Sequence, residues 1–286
     1  MEARRKFARA LHDFEWDHGF YYRNVIFTDE SMVTLGSYVH RKNDGVWIAP
    51  GETDKRQLFV PRKHSEQKIH IFVALHAQAG VIGPYFIDEI PGSGPTSLNA
   101  ERYQKFLTDT LVPDLRDRLG AAFDSAWYQQ DGASPHTASS TISLLKAIFG
   151  SRIVSRNAGD GCIEWPSLSP DLNPLDYYFW SQMKNKVGQQ SPQNIIDGKL
   201  AIRYACSQFT SEDIDRAIGN FMHRVLAMEE HDGAHFETDL KKCKKVRSNE
   251  ICTKCNQRHI CPCRYCDARC KRLSVLRARE RSQWLW

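Results

Sequence analysis

The stretch that decides the fold is WYQQDGASPHTA, residues 127–138. A short run of aromatic and amide residues reads as a strand from 126 to 130. It stops on a single carboxylate, Asp131, and Gly-Ala-Ser-Pro turns the chain into a helix predicted over 136–149. A strand that ends on an acid and passes directly into a helix displays that acid at its carboxyl end. A lone Asp-Gly more often opens an Asx-type turn, so the reading depends on what lies around it.

Working outward, NVIFT (24–28) is a compact β-run that we expect to end at Asp29. Strands are also expected at 33–39 and, from KIHIFVA, at 68–74, with the Pro- and Gly-containing residues 44–64 as loop. Three strands in succession predict an antiparallel meander. Residues 99–119 read as a helix capped by Asn99, with Tyr103, Phe106, Leu107, Leu111 and Leu115 at helical spacing and Pro113 set to kink or break it. After the 136–149 helix come a short strand at 152–155 and a loop over 157–171. SPDLNPLDYYFW (169–180) then starts a strong helix, with Asn173 as cap, Pro174 in the first turn, and Leu175, Phe179, Met183 and Val187 as one buried stripe. Asp176 lies in that first turn. A last helix is expected over 211–229, burying Ile214, Ile218, Phe221, Val225 and Met228.

Composition sets the limits. With 41% hydrophobic and 11% aromatic residues, 286 residues can bury a full core. The start, MEARRKFARALHDFEW, has no apolar run behind its basic residues, and no stretch reaches the ~18 apolar residues of a membrane helix. The expectation is a soluble intracellular protein without membrane contact. Charge and cysteine are concentrated at one end. Residues 240–286 hold fourteen Lys and Arg against three acids, a net +11 that leaves the rest at −6, and seven of the nine cysteines. The expected organisation is a leading helix and linker at 1–22, a main domain at 23–239 and a basic Cys-rich tail at 240–286.

An α/β order β-β-β-α-β-α-β-α, with acids at Asp29, Asp131 and Asp176, is that of ribonuclease-H-like nucleases, a mixed sheet flanked by helices. There, carboxylates from separate elements converge on divalent ions about 3.5 to 4 Å apart that flank the attacking and leaving oxygens of a phosphodiester. VIFTDES, WYQQDGASPHTA, WPSLSPDLNPLDYYFW, GAHFE and the intervening GVIGPYFIDEIPGSGPTSLNAERYQKFL resemble, in that order, the catalytic domain of mariner-superfamily transposases, over about residues 14–237. The resemblance implies a catalytic triad on Asp29, Asp131 and Asp176 holding two Mg²⁺ or Mn²⁺, with Asp171 as the rival to Asp176. It implies cleavage of double-stranded DNA at transposon ends and transfer of a freed 3′-hydroxyl into a TA target, by a homodimer.

His136 matches a family histidine near the second acid, which either steers a phosphate of the DNA or packs against the sheet. Two departures accompany the match. The helix-turn-helix region that precedes the family's catalytic domain has no counterpart here, which implies a truncated chain. The 44 residues between Asp131 and Asp176 exceed the family's usual spacing, with the surplus assigned to RNAGDGCIEWP (156–166).

In the tail, Cys252-x₂-Cys255 and Cys263-x₂-Cys266 have zinc-ligand spacing, against the alternative of a disordered basic tail with incidental cysteines. Disulfides are disfavoured in a chain without a secretory signal. The +11 charge implies salt-dependent phosphate binding. Lys241, Lys242, Lys244, Lys245 and Arg247 in KKCKKVR are candidate DNA contacts and a nuclear-import run. The competing function is a non-enzymatic DNA-binding relic or host-recruited fragment, and a third is a stand-alone nuclease.

Overall fold

The computed structural model describes residues 1–17, 21–35, 67–90 and 98–237. They fall into two compact units, Phe20–Ile218 and the remainder made of Met1–Gly19 with the segment from Gly219 on.

The larger unit is built on a five-stranded sheet, β1 (Val25–Thr34), β2 (Lys68–His76), β3 (Gly80–Phe86), β4 (Trp127–Gln129) and β5 (Ile153–Val154), in the order β3-β2-β1-β4-β5. β1, β2 and β3 are antiparallel, while β4 and β5 run parallel to β1. This is the mixed α/β sheet the sequence predicts, with two changes in its strands. β1 does not stop at Asp29 but continues to Thr34, because β2 offers it a ladder partner at every position from Phe27↔Leu75 to Thr34↔Lys68. Val33 and Thr34 therefore end β1 rather than begin a second strand, and residues 36–39 lie outside the described ones.

The third strand of the meander is instead Gly80–Phe86, whose two glycines and a proline mask its β character. Its burial nevertheless alternates strictly and it lies at the sheet edge, where Pro84 interrupts no ladder on its outer side.

One face of the sheet is covered by a long helical stretch, α2 (Ala100–Phe106), a wide π turn (Leu107–Leu111) and α3 (Val112–Leu119), together with α4 (Ser134–Thr137) and α5 (Ser139–Phe149). Asn99 caps α2 as expected, its side chain accepting from Arg102 N at 2.9 Å. Pro113 does not break the stretch. The π turn widens the backbone spiral just before it, and Pro113 falls in the first turn of α3, where the fixed φ of proline is compatible with the helix. Ile26, Phe72, Ala74 and Ile82 of the sheet meet Tyr103, Phe106, Leu111, Leu115, Leu145 and Phe149 of these helices in the core. Each such side chain contributes about 1.5 to 3 kcal/mol on burial.

The other face takes α6 (Trp180–Gln190), entered through a second π turn (Leu175–Phe179), and α7 (Ile195–Ser207). Leu175, Phe179, Met183 and Val187 are all buried, the stripe read from their spacing. α7 has no sequence reading, although Asn194 caps it by accepting from Asp197 N at 2.9 Å. Ile196, Leu200 and Tyr204 are exposed along it, which blurs the apolar pattern of its buried side. The expected helix over 211–229 is two, α8 (Ser211–Gly219) and α9 (Phe221–Glu230), because Gly219-Asn220 interrupts it. Thr210 and Asp213 cap α8 reciprocally.

In the smaller unit α1 (Glu2–Asp17) packs on α9, burying Phe7, Ala8 and Leu11 along with Phe221, Val225 and Met228. The turn after α9 depends on Gly233, at φ +79, where a Cβ would come within 2.6 Å of Met1 O. Among the described residues no helix is long and apolar enough to cross a membrane.

Candidate active site

Pairing register brings the first two acids together. β1 and β4 run parallel with Phe27 opposite Gln129. Two residues further along each chain stand Asp29 and Asp131, at the carboxyl edge of β4 where a parallel sheet leaves its crevice. Asp29 is thus in the middle of its own strand and yet just past the end of the parallel pairing.

A stitch of hydrogen bonds brings the third. Thr28 Oγ1 donates to Gln129 O at 2.7 Å, and Asn173 Nδ2 donates to Thr28 O at 3.3 Å. Asn173 is buried, and its Oδ1 accepts from Leu175 N at 3.1 Å as the cap read from the sequence. The same side chain therefore starts the π turn that carries Asp176 and anchors it to β1 beside Asp29. Asp176, Trp180 and Lys184 then follow at intervals of four. Trp180 Nε1 donates to Asp29 Oδ2 at 2.7 Å.

The three carboxylates repel one another. Burial, then the charge of Asp176, with Glu30 and Asp131 adding to them, raises Asp29 well above the ordinary carboxylate range against the Trp180 bond. Partial enclosure and the charge of Asp131 push Asp176 up to about 6, with Lys184 pulling the other way. Lys184 is itself lowered by burial, which outweighs its attraction to Asp29 and Asp176. Asp171, the rival acid, is buried in the short turn before Asn173.

Asp131 is held from two directions. Its Oδ1 accepts from Ala133 N at 2.9 Å, so the Asx-type turn is real, and lies 2.6 Å from His136 Nδ1. Burial raises its pKa, but the bonds from His136 and Ala133 outweigh that and leave it lowered. The other nitrogen of His136, Nε2, is 3.0 Å from Glu30 Oε1. Burial alone would lower His136, yet Glu30 and Asp131 together raise it to about 10, so it is an imidazolium donating to both. It is buried, and its ring lies 4.4 Å from that of Tyr103. Of the two expectations for His136, burial in the fold describes its environment, and both its donors are committed to carboxylates rather than turned toward a phosphate.

Beneath it, Gln130 is buried and fully engaged. Its Oε1 accepts from Tyr103 Oη at 2.9 Å, and its Nε2 donates to His136 O at 2.8 Å and Ser155 Oγ at 2.9 Å.

Glu30 and Trp180 carry site roles that sequence reasoning did not assign. Strand alternation was the available signal, since Glu30 must point to the face opposite Asp29, toward the helices that include His136. Trp180 was visible only as four residues past Asp176.

The donor set of Asp29, Asp131 and Asp176 is all carboxylate oxygen, and their mutual repulsion is relieved by a cation. Its chemistry therefore fits a hard divalent ion such as Mg²⁺ or Mn²⁺. Among the described residues no three His, Cys, Asp or Glu side chains close on one metal-holding point. Cys252, Cys255, Cys263, Cys266, Lys241, Lys242, Lys244, Lys245 and Arg247 lie outside the described residues.

No family model matches the chain. Over 85 residues it is 33% identical to the Transposable element Tcb2 transposase of Caenorhabditis briggsae, a match covering 30% of this chain and 26% of that protein. Among solved structures it resembles the Mos1 transposase paired-end complex with left transposon end, with a TM-score of 0.63 and 19% identity over 82% of this chain and 62% of that one. It also resembles the Mos1 transposase catalytic domain solved with Raltegravir and Mn, with a TM-score of 0.59 and 19% identity over 82% of this chain and 95% of the domain. The counterpart solved with Mg gives 0.58 and 18% over 82% and 96%. The chain thus spans about a quarter of the curated relative and nearly the whole of the isolated catalytic domain. Its fold is the ribonuclease-H-like fold of the Mos1 mariner transposase catalytic domain, and in sequence it resembles the mariner-superfamily transposases.

Proposed function

We propose that the chain is a transposase catalytic domain that cleaves and joins DNA strands with divalent metal ions. The observation that carries this is the meeting of Asp29, Asp131 and Asp176, from three separate elements, close enough that, beyond the effect of burial, the charges of Asp176 and Asp131 raise Asp29 and that of Asp131 raises Asp176. A group of acids that destabilise one another's ionisation has the signature of a functional site rather than a structural one. Similarity to a transposase in sequence and to Mos1 complexes solved with Mg, with Mn and with a transposon end supports the same reading.

Asp29, Asp131 and Asp176 would hold two Mg²⁺ or Mn²⁺, which when bound supply Lewis-acid stabilisation of the phosphodiester and a water of lowered pKa. The chain's own residues prepare that site. Trp180 fixes one oxygen of Asp29, so its orientation is set by a buried indole. His136 and Ala133 bind Oδ1 of Asp131, leaving its other oxygen outside both bonds. Glu30 balances the imidazolium at its other ring nitrogen, Nε2. Lys184 supplies a cation beside Asp29 and Asp176.

The substrates proposed are the ends of a transposon and a TA target in duplex DNA, acted on by a homodimer in the nucleus. Lys241, Lys242, Lys244, Lys245 and Arg247 would anchor DNA and direct import, and Cys252, Cys255, Cys263 and Cys266 would bind zinc.

The test is nicking and joining of pre-cleaved DNA ends in Mg²⁺ or Mn²⁺ by the chain and by Asp176→Ala. Activity that needs metal and falls by 10² or more in the variant is expected, the scale lost when one preorganised electrostatic group is removed. DNA binding with no activity in either protein would replace the enzyme with a DNA-binding relic. Nicking without joining would make it a nuclease.

A further inference from the structure

We propose that Arg156 is a phosphate-binding residue of the active site, holding a backbone phosphate of the DNA beside the scissile bond. The proposal rests on the reading of the site as one that acts on DNA.

β4 and β5 are parallel, with Gln129 opposite Val154, just as β1 and β4 place Phe27 opposite Gln129. Two residues on from each member of that row stand Asp29, Asp131 and Arg156. Gln130 N still donates to Val154 O at 3.1 Å, so the ladder holds its spacing up to this edge. Asp131 and Arg156 thus follow the carboxyl ends of β4 and β5, level with Asp29 where the parallel pairing of β1 ends, the edge at which open α/β sheets bind their ligands.

Side-chain packing confirms the juxtaposition. The position a Cβ would take on Gly132, the residue after Asp131, is 3.0 Å from Arg156 Cδ and 3.7 Å from its Nη1. The arginine stem therefore lies across the bare Cα of Gly132, which no other residue type would leave open. The backbone that carries it is fixed on both sides. Ser155 N donates to Ile163 O and Trp165 N to Ser155 O, while both oxygens of Glu164 accept from Asn157 N at 3.0 and 3.1 Å.

Arg156 is exposed, and among the described residues its guanidinium makes no ion pair, although Asp131 is next to Gly132. The Asp131 carboxylate spends its bonds on His136 and Ala133 instead. A positioned guanidinium beside acids with which it does not pair is available for an anion, and its planar fork suits two phosphate oxygens at once.

The experiment measures binding of a pre-cleaved duplex end, without divalent metal, by the full chain and by Arg156→Ala, Arg156→Lys and Gly132→Ala over a salt series. Arg156→Ala should weaken binding about tenfold and reduce the slope of log affinity against log salt by about one. Arg156→Lys should restore the slope but only part of the affinity, and Gly132→Ala, by crowding the stem, should follow Arg156→Ala. Duplexes with single phosphates replaced by uncharged methylphosphonate add the decisive readout. The parent should lose affinity at one or two positions next to the cleavage site where Arg156→Ala is indifferent.

Equal affinity, slope and methylphosphonate profile in parent and Arg156→Ala would overturn the proposal, and so would a parent that does not bind duplex. Nicking by the parent and by Asp131→Asn, run alongside, separates the two readings. No metal-dependent nicking with the Arg156 effect intact removes the enzyme and keeps the phosphate contact. Nicking that depends on Asp131, with Arg156→Ala unchanged, removes only the contact.

Discussion

At the scale of single residues, the site trades stability for chemistry. Asp176 ionises against its partial burial and, after that, the charge of Asp131. A carboxyl raised in the folded state contributes stability that is lost as pH climbs through its folded pKa. At neutral pH Asp176 therefore works against folding, and Asp176→Asn should stabilise the metal-free chain by about 1 kcal/mol after discounting for its exposure, while abolishing metal-dependent nicking. Urea denaturation at pH 7 beside pH 5 checks this, the gain shrinking at the lower pH. Mg²⁺ or Mn²⁺ should raise the melting temperature of the parent and not of Asp29→Asn, since an ion that binds only the folded state stabilises it.

His76 makes the opposite kind of titration and has no part in the site. It is buried in the β2–β3 hairpin, its Nδ1 accepting from Gln78 N and Ala79 N and its Nε2 donating to Asn24 Oδ1 at 3.0 Å. Burial lowers it to about 4. A histidine lowered on folding contributes stability present above its unfolded pKa of about 6.5 and lost as pH falls from there through about 4. The chain should lose roughly 2 to 3 kcal/mol across that window through this residue, and His76→Gln, measured by denaturation at each pH, should flatten the slope. An unchanged slope would mean that other groups dominate acid unfolding.

At the scale of elements, close helix–sheet approach is the feature most open to test. α7 crosses the sheet at Gly198, where a Cβ would come within 2.6 Å of Ile69 Cδ1 and 2.9 Å of Leu35 Cδ1. Gly198→Ala would gain helix propensity of about 1 kcal/mol but overpack two buried side chains, a cost of about 1 to 3 kcal/mol. We expect net destabilisation of about 1 kcal/mol, and Gly198→Ala combined with Ile69→Val should recover part of it. Stabilisation by the single variant would show that the contact yields. Much of each element's identity was already legible, because caps and stripes are local. Asn99, Asn173 and the Leu175–Val187 stripe all read correctly, whereas β3 was hidden by its glycines and proline and α7 by the apolar residues on its exposed side.

At the scale of the whole molecule, charge is divided between an acidic body and a tail of net +11. If the tail anchors duplex DNA, deletion of 241–286 should weaken binding and flatten its salt dependence, because fewer counterions are released. Binding titrations over a salt series check this, and unchanged affinity and slope would assign duplex binding to the body. The same titrations with Arg156→Ala in both backgrounds should give additive losses if the two contacts are independent.

The residues of the chain by themselves determined which acids to examine, the α/β order that carries them and the caps and stripes of the main helices, since each depends on neighbours within a few positions. Only the tertiary structure decided that Asp29 stands mid-strand, that His136 is held between Asp131 and Glu30, and that Arg156 lies over Gly132. Those relations join residues up to 106 positions apart. They follow from the register of β1 against β2 and β4 and of β4 against β5, where a shift of one residue would turn each side chain to the other face of the sheet.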